Sequence, residues 1–150
     1  MVHVETNDLI NILLVEDNPG DVRLTQEALT EGRVASRLHV VRDGMQALDF
    51  LFHRAPYTDS PHPDLILLDL NLPRKNGHEV LAAIKADQAL KHIPVIMLTS
   101  SKADQDVVKS YDLSVNCYVT KPVELPDFLN AVKQIEDFWL TIVRLPHRMN

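Results

Sequence analysis

The sequence predicts a doubly wound α/β fold: a five-stranded parallel sheet, five helices divided between its two faces, and an extended last helix. Apolar runs alternate strictly with helix-patterned segments, which builds a parallel sheet covered on both sides. Turn-forming or polar residues also follow the runs at once. That places them at the carboxyl edge, where open parallel sheets bind ligands.

The first strand is Asn11-Ile12-Leu13-Leu14-Val15, ending at Glu16-Asp17. Asn18-Pro19-Gly20-Asp21 then supplies turn and helix-start chemistry. Val22, Leu24, Ala28 and Leu29 give part of an apolar helical face, and Gly32 is its terminator. Arg37 to Val41 forms the second strand. Asp43-Gly44 opens the second helix, with Met45, Leu48, Leu51 and Phe52 at helical spacing. Ala55 to Pro63, with Pro56, Pro61 and Pro63, is a loop rather than a linker, because neither flank is long enough to fold separately.

The run Leu65-Ile66-Leu67-Leu68 then delivers Asp69, and Asn71, Pro73, Asn76 and Gly77 follow as turn residues. Val80, Leu81, Ile84 and Ala86 suit a third helix ending near Asp87. A fourth strand begins around Ile93, where the missing N–H of Pro94 can be spared. Asp104 to Tyr111 suits a short fourth helix. The fifth strand, Cys117-Tyr118-Val119-Thr120, ends at Lys121-Pro122, and Pro126 opens the last helix. Right-handed crossovers bring every strand's carboxyl end to one edge.

At 150 residues the chain has the size of one domain, with a core at about 10–137 and a helical extension at about 138–147. A domain of this length buries roughly 68–70% of its unfolded surface, so it needs no disulfide or structural zinc. Cys117 is the single cysteine and reads as a small core residue. The seven histidines are scattered without zinc-ligand spacing. The net charge of −6 argues against direct nucleic-acid binding. The first eight residues are polar, unlike a signal peptide. No apolar run reaches the roughly 18 residues of a membrane span. A cytoplasmic protein is expected.

Glu16, Asp17 and Asp69 would meet if the first and third strands are neighbours, as in the flavodoxin-like order 2-1-3-4-5. Clustered carboxylates repel, and a hard divalent cation resolves the repulsion. Mg2+ fits, with Asp17 and Asp69 as direct ligands, Glu16 binding directly or through water, and the Asn71 carbonyl completing the set. Asp21 and Asp43 read instead as helix-capping acids. Asp69 could also attack phosphorus to form an acyl phosphate. Lys121 would offer an ammonium to one phosphoryl oxygen, and the Thr99 hydroxyl would serve another. Taken singly, Thr99 is a strand-end hydroxyl and Lys121 a surface residue. Their joint placement at strand ends raises the functional reading.

With Glu16-Asp17, Asp69 in Leu67-Leu68-Asp69-Leu70-Asn71-Leu72-Pro73, Gly77, Thr99-Ser100 and Lys121-Pro122, the chain resembles the receiver domain of two-component response regulators. The resemblance implies that Asp69 accepts a phosphoryl group from the phosphohistidine of a sensor histidine kinase. It implies that Asp17, Asp69 and the Asn71 carbonyl hold Mg2+, that Thr99 and Lys121 contact the phosphoryl group, and that Lys121-Pro122 is cis. Many members carry Asp where Glu16 stands. Tyr118 occupies the position of a switch aromatic that turns inward as Thr99 moves; the alternative is an exposed aromatic packed on the fourth helix. The segment Glu16-Asp17-Asn18-Pro19-Gly20-Asp21 and the loop 55–63 are similar to regulators paired with cyanobacterial phytochromes. A phytochrome-type kinase is then the expected donor.

About thirteen residues remain after Asp137, too few for an output domain, so a stand-alone receiver is expected. Phe128, Val132, Ile135, Trp139 and Ile142 recur at heptad-like spacing. The earlier members should pack on the sheet. The later apolar cluster, including Phe138, Trp139, Ile142 and Val143, predicts a homodimer contact. Among other classes, a haloacid dehalogenase-type phosphatase needs a second Asp where Asn71 stands, and Asn71 cannot transfer a proton. A flavodoxin-like FMN carrier needs a phosphate loop that Glu16-Asp17 would repel. A phosphorylation-independent interaction module is the alternative against which the complete acceptor set argues.

Overall fold

The computed structural model describes residues 9–32, 35–100 and 117–133. Their strands are β1 (Ile10–Val15), β2 (Ser36–Val41), β3 (Leu65–Asp69), β4 (Val95–Thr99) and β5 (Cys117–Thr120). The helices are α1 (Pro19–Glu31), α2 (Gly44–Leu51), α3 (Gly77–Ala86) and α4 (Leu125–Lys133). All strand pairs are parallel, in the order β2-β1-β3-β4-β5. The fold is therefore the predicted doubly wound sheet. The helix expected over Asp104–Tyr111 lies outside the described residues.

β3 and β4 are buried at every residue, and β1 at all but Asn11, because helices cover both faces of the sheet centre. Strand alternation sends these side chains to two cores. Leu13, Val15, Ile66, Leu68, Val95 and Met97 pack with α2 and α3. Ile12, Leu14, Leu65, Leu67, Ile96 and Leu98 pack with Ala28 and Leu29 of α1 and Phe128 and Ala131 of α4. Phe128 is thus a sheet-packing residue, as its place in the stripe predicted. Cys117 is also core: its Sγ contacts the Ala131 carbonyl oxygen at 2.9 Å, and burial pushes the thiol pKa up.

Side-chain caps start three helices. Asn18 accepts from the Asp21 amide at 3.0 Å, Asp43 from Gln46 at 2.8 Å, and Asn76 from Glu79 at 3.1 Å. Pro19 sits in the first turn of α1, where no N–H is needed. Some helical faces are rotated from expectation. In α1 the buried set is Thr25, Ala28 and Leu29, and Leu24 lies exposed at its margin. Thr25 can take the inward position because its hydroxyl donates to the Asp21 carbonyl at 3.0 Å. In α2 the buried face runs through Ala47, Leu48, Phe50 and Leu51, leaving Met45 and Phe52 half-buried. Ala86 of α3 is exposed. β4 begins at Val95, two residues after Ile93, because the Ile93 amide bonds the Leu90 carbonyl and Pro94 has no amide to offer.

Candidate functional site

The β1–β3 register places Val15 opposite Leu68, and the β3–β4 register places Asp69 opposite Leu98. The next residue on β1, Glu16, therefore emerges level with Asp69. Thr99 ends β4 opposite Thr120, and the Lys121 amide donates to the Thr99 carbonyl at 2.8 Å. Residues far apart in sequence thus converge at one edge of the sheet.

Lys121 is the centre of the charge arrangement. Its Nζ lies 2.9 Å from Asp69 Oδ2, 3.1 Å from Glu16 Oε1 and 3.2 Å from Asp21 Oδ2. Glu16 and Asp69 are buried. The remaining carboxylate oxygens find backbone amides: Asn18 donates to Glu16 Oε2 at 3.2 Å, and Asn71 to Asp69 Oδ1 at 3.0 Å. Burial, together with the hydrogen bond and negative charge of Asp69, pushes the Glu16 pKa up to about 7, against the pull of Asn18 and Lys121. Burial alone would lower the Lys121 pKa. The hydrogen bonds and charges of Asp69 and Glu16 outweigh it and hold the ammonium above its ordinary range.

Glu16, Asp17 and Asp69 present oxygens that all lie within 4.8 Å of one another. Asp17 is exposed, so its carboxylate meets solvent beside the two buried ones. This all-oxygen, acidic and half-open donor set suits a hard divalent cation that keeps some of its water. Thr99 Oγ1 is buried and has no hydrogen-bond partner among the described residues. An orphaned hydroxyl at the end of β4, beside this cluster, is what a site built to receive another polar group would contain.

Two glycines set the frame of the site. A Cβ at Gly77 would overlap the Asp69 carbonyl oxygen and stand 2.6 Å from Leu70 Cα. Only glycine lets the start of α3 close against the end of β3. Gly44 makes a similar approach to Lys75. Lys121-Pro122 is cis, and so is Ala55-Pro56.

The structure brings together Glu16, Asp17, Asp69, Asn71 and Lys121 as the sequence predicted, and sets Thr99 at the neighbouring strand end. Tyr118 is half-buried and packs on the α2–α3 core, whereas Cys117 and Val119 face the opposite core. Burial pushes the Tyr118 phenol pKa up. Phe138, Trp139, Ile142 and Val143 lie outside the described residues. Asp21 is the residue that sequence reasoning missed. Read from sequence as a capping acid, it instead pairs with Lys121, and the cap of α1 is the Asn18 side chain, which accepts from the Asp21 amide. No local pattern signals this pairing, because it depends on side-chain reach from the first turn of α1 across to Lys121.

A parallel sheet whose carboxyl edge gathers buried acids, a lysine and an orphaned threonine hydroxyl is the architecture of a signalling receiver. The chain belongs to the response regulator receiver domain family, matching it over residues 12–133. It is similar to the response regulator Rcp1 of Synechocystis sp., with 51% identity over 142 residues, 95% of this chain and 97% of that protein. The crystal structure of the Mn2+-bound form of Rcp1 has a TM-score of 0.72 and 51% identity, covering 87% of this chain and 94% of that one. The phosphorylated cyanobacterial phytochrome response regulator RcpA has a TM-score of 0.73 and 51% identity, covering 89% and 95%. The protein is thus a two-component signalling protein related to phytochrome response regulators. Among the described residues, no helix is long and apolar enough to cross a membrane.

Proposed function

We propose that this response regulator accepts a phosphoryl group on Asp69, with Mg2+ as cofactor and Thr99 and Lys121 as contacts to the transferred group. One observation carries this reading: the Asp69 carboxylate and the Lys121 ammonium meet at 2.9 Å beside a buried Thr99 hydroxyl that has no partner among the described residues. In the transfer, an Asp69 oxygen attacks phosphorus. The phosphorus–nitrogen bond of a donor phosphohistidine breaks, and its electron pair remains on the imidazole, which takes up a proton. Lys121 exchanges a carboxylate for a phosphoryl oxygen, and Thr99 donates to another. Glu16, Asp17, Asp69 and the Asn71 carbonyl would hold the Mg2+, which supplies charge neutralisation when bound.

The donor in this reading is a sensor histidine kinase of the phytochrome type, supported by the similarity to Rcp1 and RcpA. A cytoplasmic location goes with that partner. The chain would act as a single receiver unit over 1–150, with its core at about 10–137. Its output would be a surface around Tyr118 and a homodimer contact through Phe138, Trp139, Ile142 and Val143. Phosphorylation shifts that surface only by favouring one arrangement over another. The net charge of −6 supports protein partners over nucleic acid.

Incubation with acetyl phosphate and Mg2+, followed by intact mass measurement, tests the reading. One added phosphoryl group is expected, absent in Asp69→Asn. Unchanged labelling of that variant would remove Asp69 as the acceptor.

A further inference from the structure

The turn between β3 and α3 carries Asn71 and joins Asp69 to Gly77, and it is braced from both sides. On the inner side, the Gly77 amide donates to the Leu70 carbonyl at 2.9 Å, and Gly77 packs against the backbone of Asp69. On the outer side stands the N-terminus of α2. Gly44 lies so close to Lys75 that a Cβ there would overlap the Lys75 carbonyl oxygen and stand 2.7 Å from the Lys75 Cβ. The preceding residue, Asp43, is buried and uses both carboxylate oxygens. Oδ1 caps α2 at the Gln46 amide, 2.8 Å away, and Oδ2 accepts from Arg74 Nη1 at 3.3 Å.

Arg74 has φ 68°, in the left-handed region that a residue with a Cβ rarely adopts. Such a conformation persists only where the surroundings hold it. Capping of α2 accounts for Asp43 Oδ1. It does not account for Oδ2 reaching a residue 31 positions away, nor for the space kept at Gly44.

We propose that the N-terminus of α2 is a positioning clamp for the β3–α3 turn, with Gly44 as its seat and the Asp43–Arg74 ion pair as its latch. The three are positioning residues, acting through the turn rather than on the reacting group. This rests on the reading that Asp69 and the Asn71 carbonyl hold a divalent cation. A clamp that fixes the turn fixes the carbonyl, in the way that outer residues orient the direct ligands of a metal.

Asp43→Asn tests the latch, because the Asn oxygen caps a helix as well as Asp does, while the acceptor and the charge that face Arg74 are both lost. Arg74→Gly removes the guanidinium and relieves the backbone strain together. Two readouts are taken on the full chain: Mn2+ affinity by calorimetry, and amide hydrogen exchange at Gly77 by NMR in metal-free buffer. Asp43→Asn should weaken Mn2+ binding about tenfold, the low end for outer-shell partners, and speed exchange at Gly77 more than at Leu67 in central β3. Gly44→Ala should do the same where it folds. Unchanged Mn2+ affinity and unchanged Gly77 exchange in Asp43→Asn would overturn the clamp. Absence of Mn2+ binding by the unmodified protein would instead count against the acidic site, and the Gly77 exchange rate would still decide the clamp.

Discussion

Lys121 Nζ lies 2.9 Å from Asp69 Oδ2, and the same ammonium is 3.1 Å from Glu16 Oε1. One cation therefore holds two buried carboxylates that would otherwise repel across the ends of β1 and β3. Removing one member of a buried charge set leaves the others uncompensated, and this costs about 3–5 kcal/mol. Lys121→Met should accordingly lower unfolding free energy by about 3 kcal/mol at pH 7.5. Because the cost is electrostatic, millimolar Mg2+ should recover more stability for the variant than for the unmodified chain. Urea unfolding with and without Mg2+ checks this, and an equal Mg2+ response of the two proteins would refute it.

Glu16 makes the metal-free fold sensitive to pH. Its folded-state pKa is raised from 4.5 to about 7, by burial first and then by Asp69. The folded chain therefore holds a proton that the unfolded chain releases, and Glu16's contribution to stability is greatest below 4.5. It is lost as pH rises through 7. Stability of the metal-free protein should fall across that window, and Glu16→Gln should flatten the fall. Urea midpoints at half-unit pH intervals in EDTA measure it. An unaltered slope in Glu16→Gln would assign the pH dependence to other groups.

Gly77 fixes where Asp69 sits. A Cβ at this position meets backbone, the Asp69 carbonyl and Leu70 Cα, rather than a flexible side chain that could move aside. Overpacking of this kind costs about 1–3 kcal/mol. Gly77→Ala should lose stability within that range and also slow labelling by acetyl phosphate, since the start of α3 cannot shift without moving the end of β3. Normal labelling in a destabilised Gly77→Ala would confine the glycine to a packing role.

The sequence made the sheet legible because its central strands are buried on both faces, and runs such as Leu65-Ile66-Leu67-Leu68 admit few other readings. The convergence of Glu16, Asp69 and Lys121 was legible for a related reason: in a parallel sheet all strand ends share one edge. Helical faces were less so. Leu24 and Thr25 exchange the roles that hydrophobicity assigns them, because a threonine that bonds its own helix backbone can be buried without an unpaired hydroxyl. The pairing of Asp21 with Lys121 depends on side-chain reach across the site, which no local pattern encodes. The same holds for Asp43 with Arg74, where the left-handed φ of Arg74 has no signature in residue type.

Thr99 separates stability from function most directly. Its hydroxyl is buried and, among the described residues, has no hydrogen-bond partner, and such an orphaned polar atom costs about 1–3 kcal/mol. Valine has nearly the same shape and no hydroxyl. Thr99→Val should therefore leave the metal-free fold as stable as before or raise its unfolding free energy by about 1 kcal/mol. If the hydroxyl waits for a phosphoryl oxygen, the same substitution should slow labelling by acetyl phosphate and weaken any change that labelling causes at Tyr118. Thr99→Ser restores the donor and should recover labelling, at the cost of a small cavity. Urea unfolding and intact-mass time courses on the two variants give the four numbers required. A Thr99→Val protein that is destabilised yet labels at the normal rate would mean that the hydroxyl serves the resting fold and not the transfer.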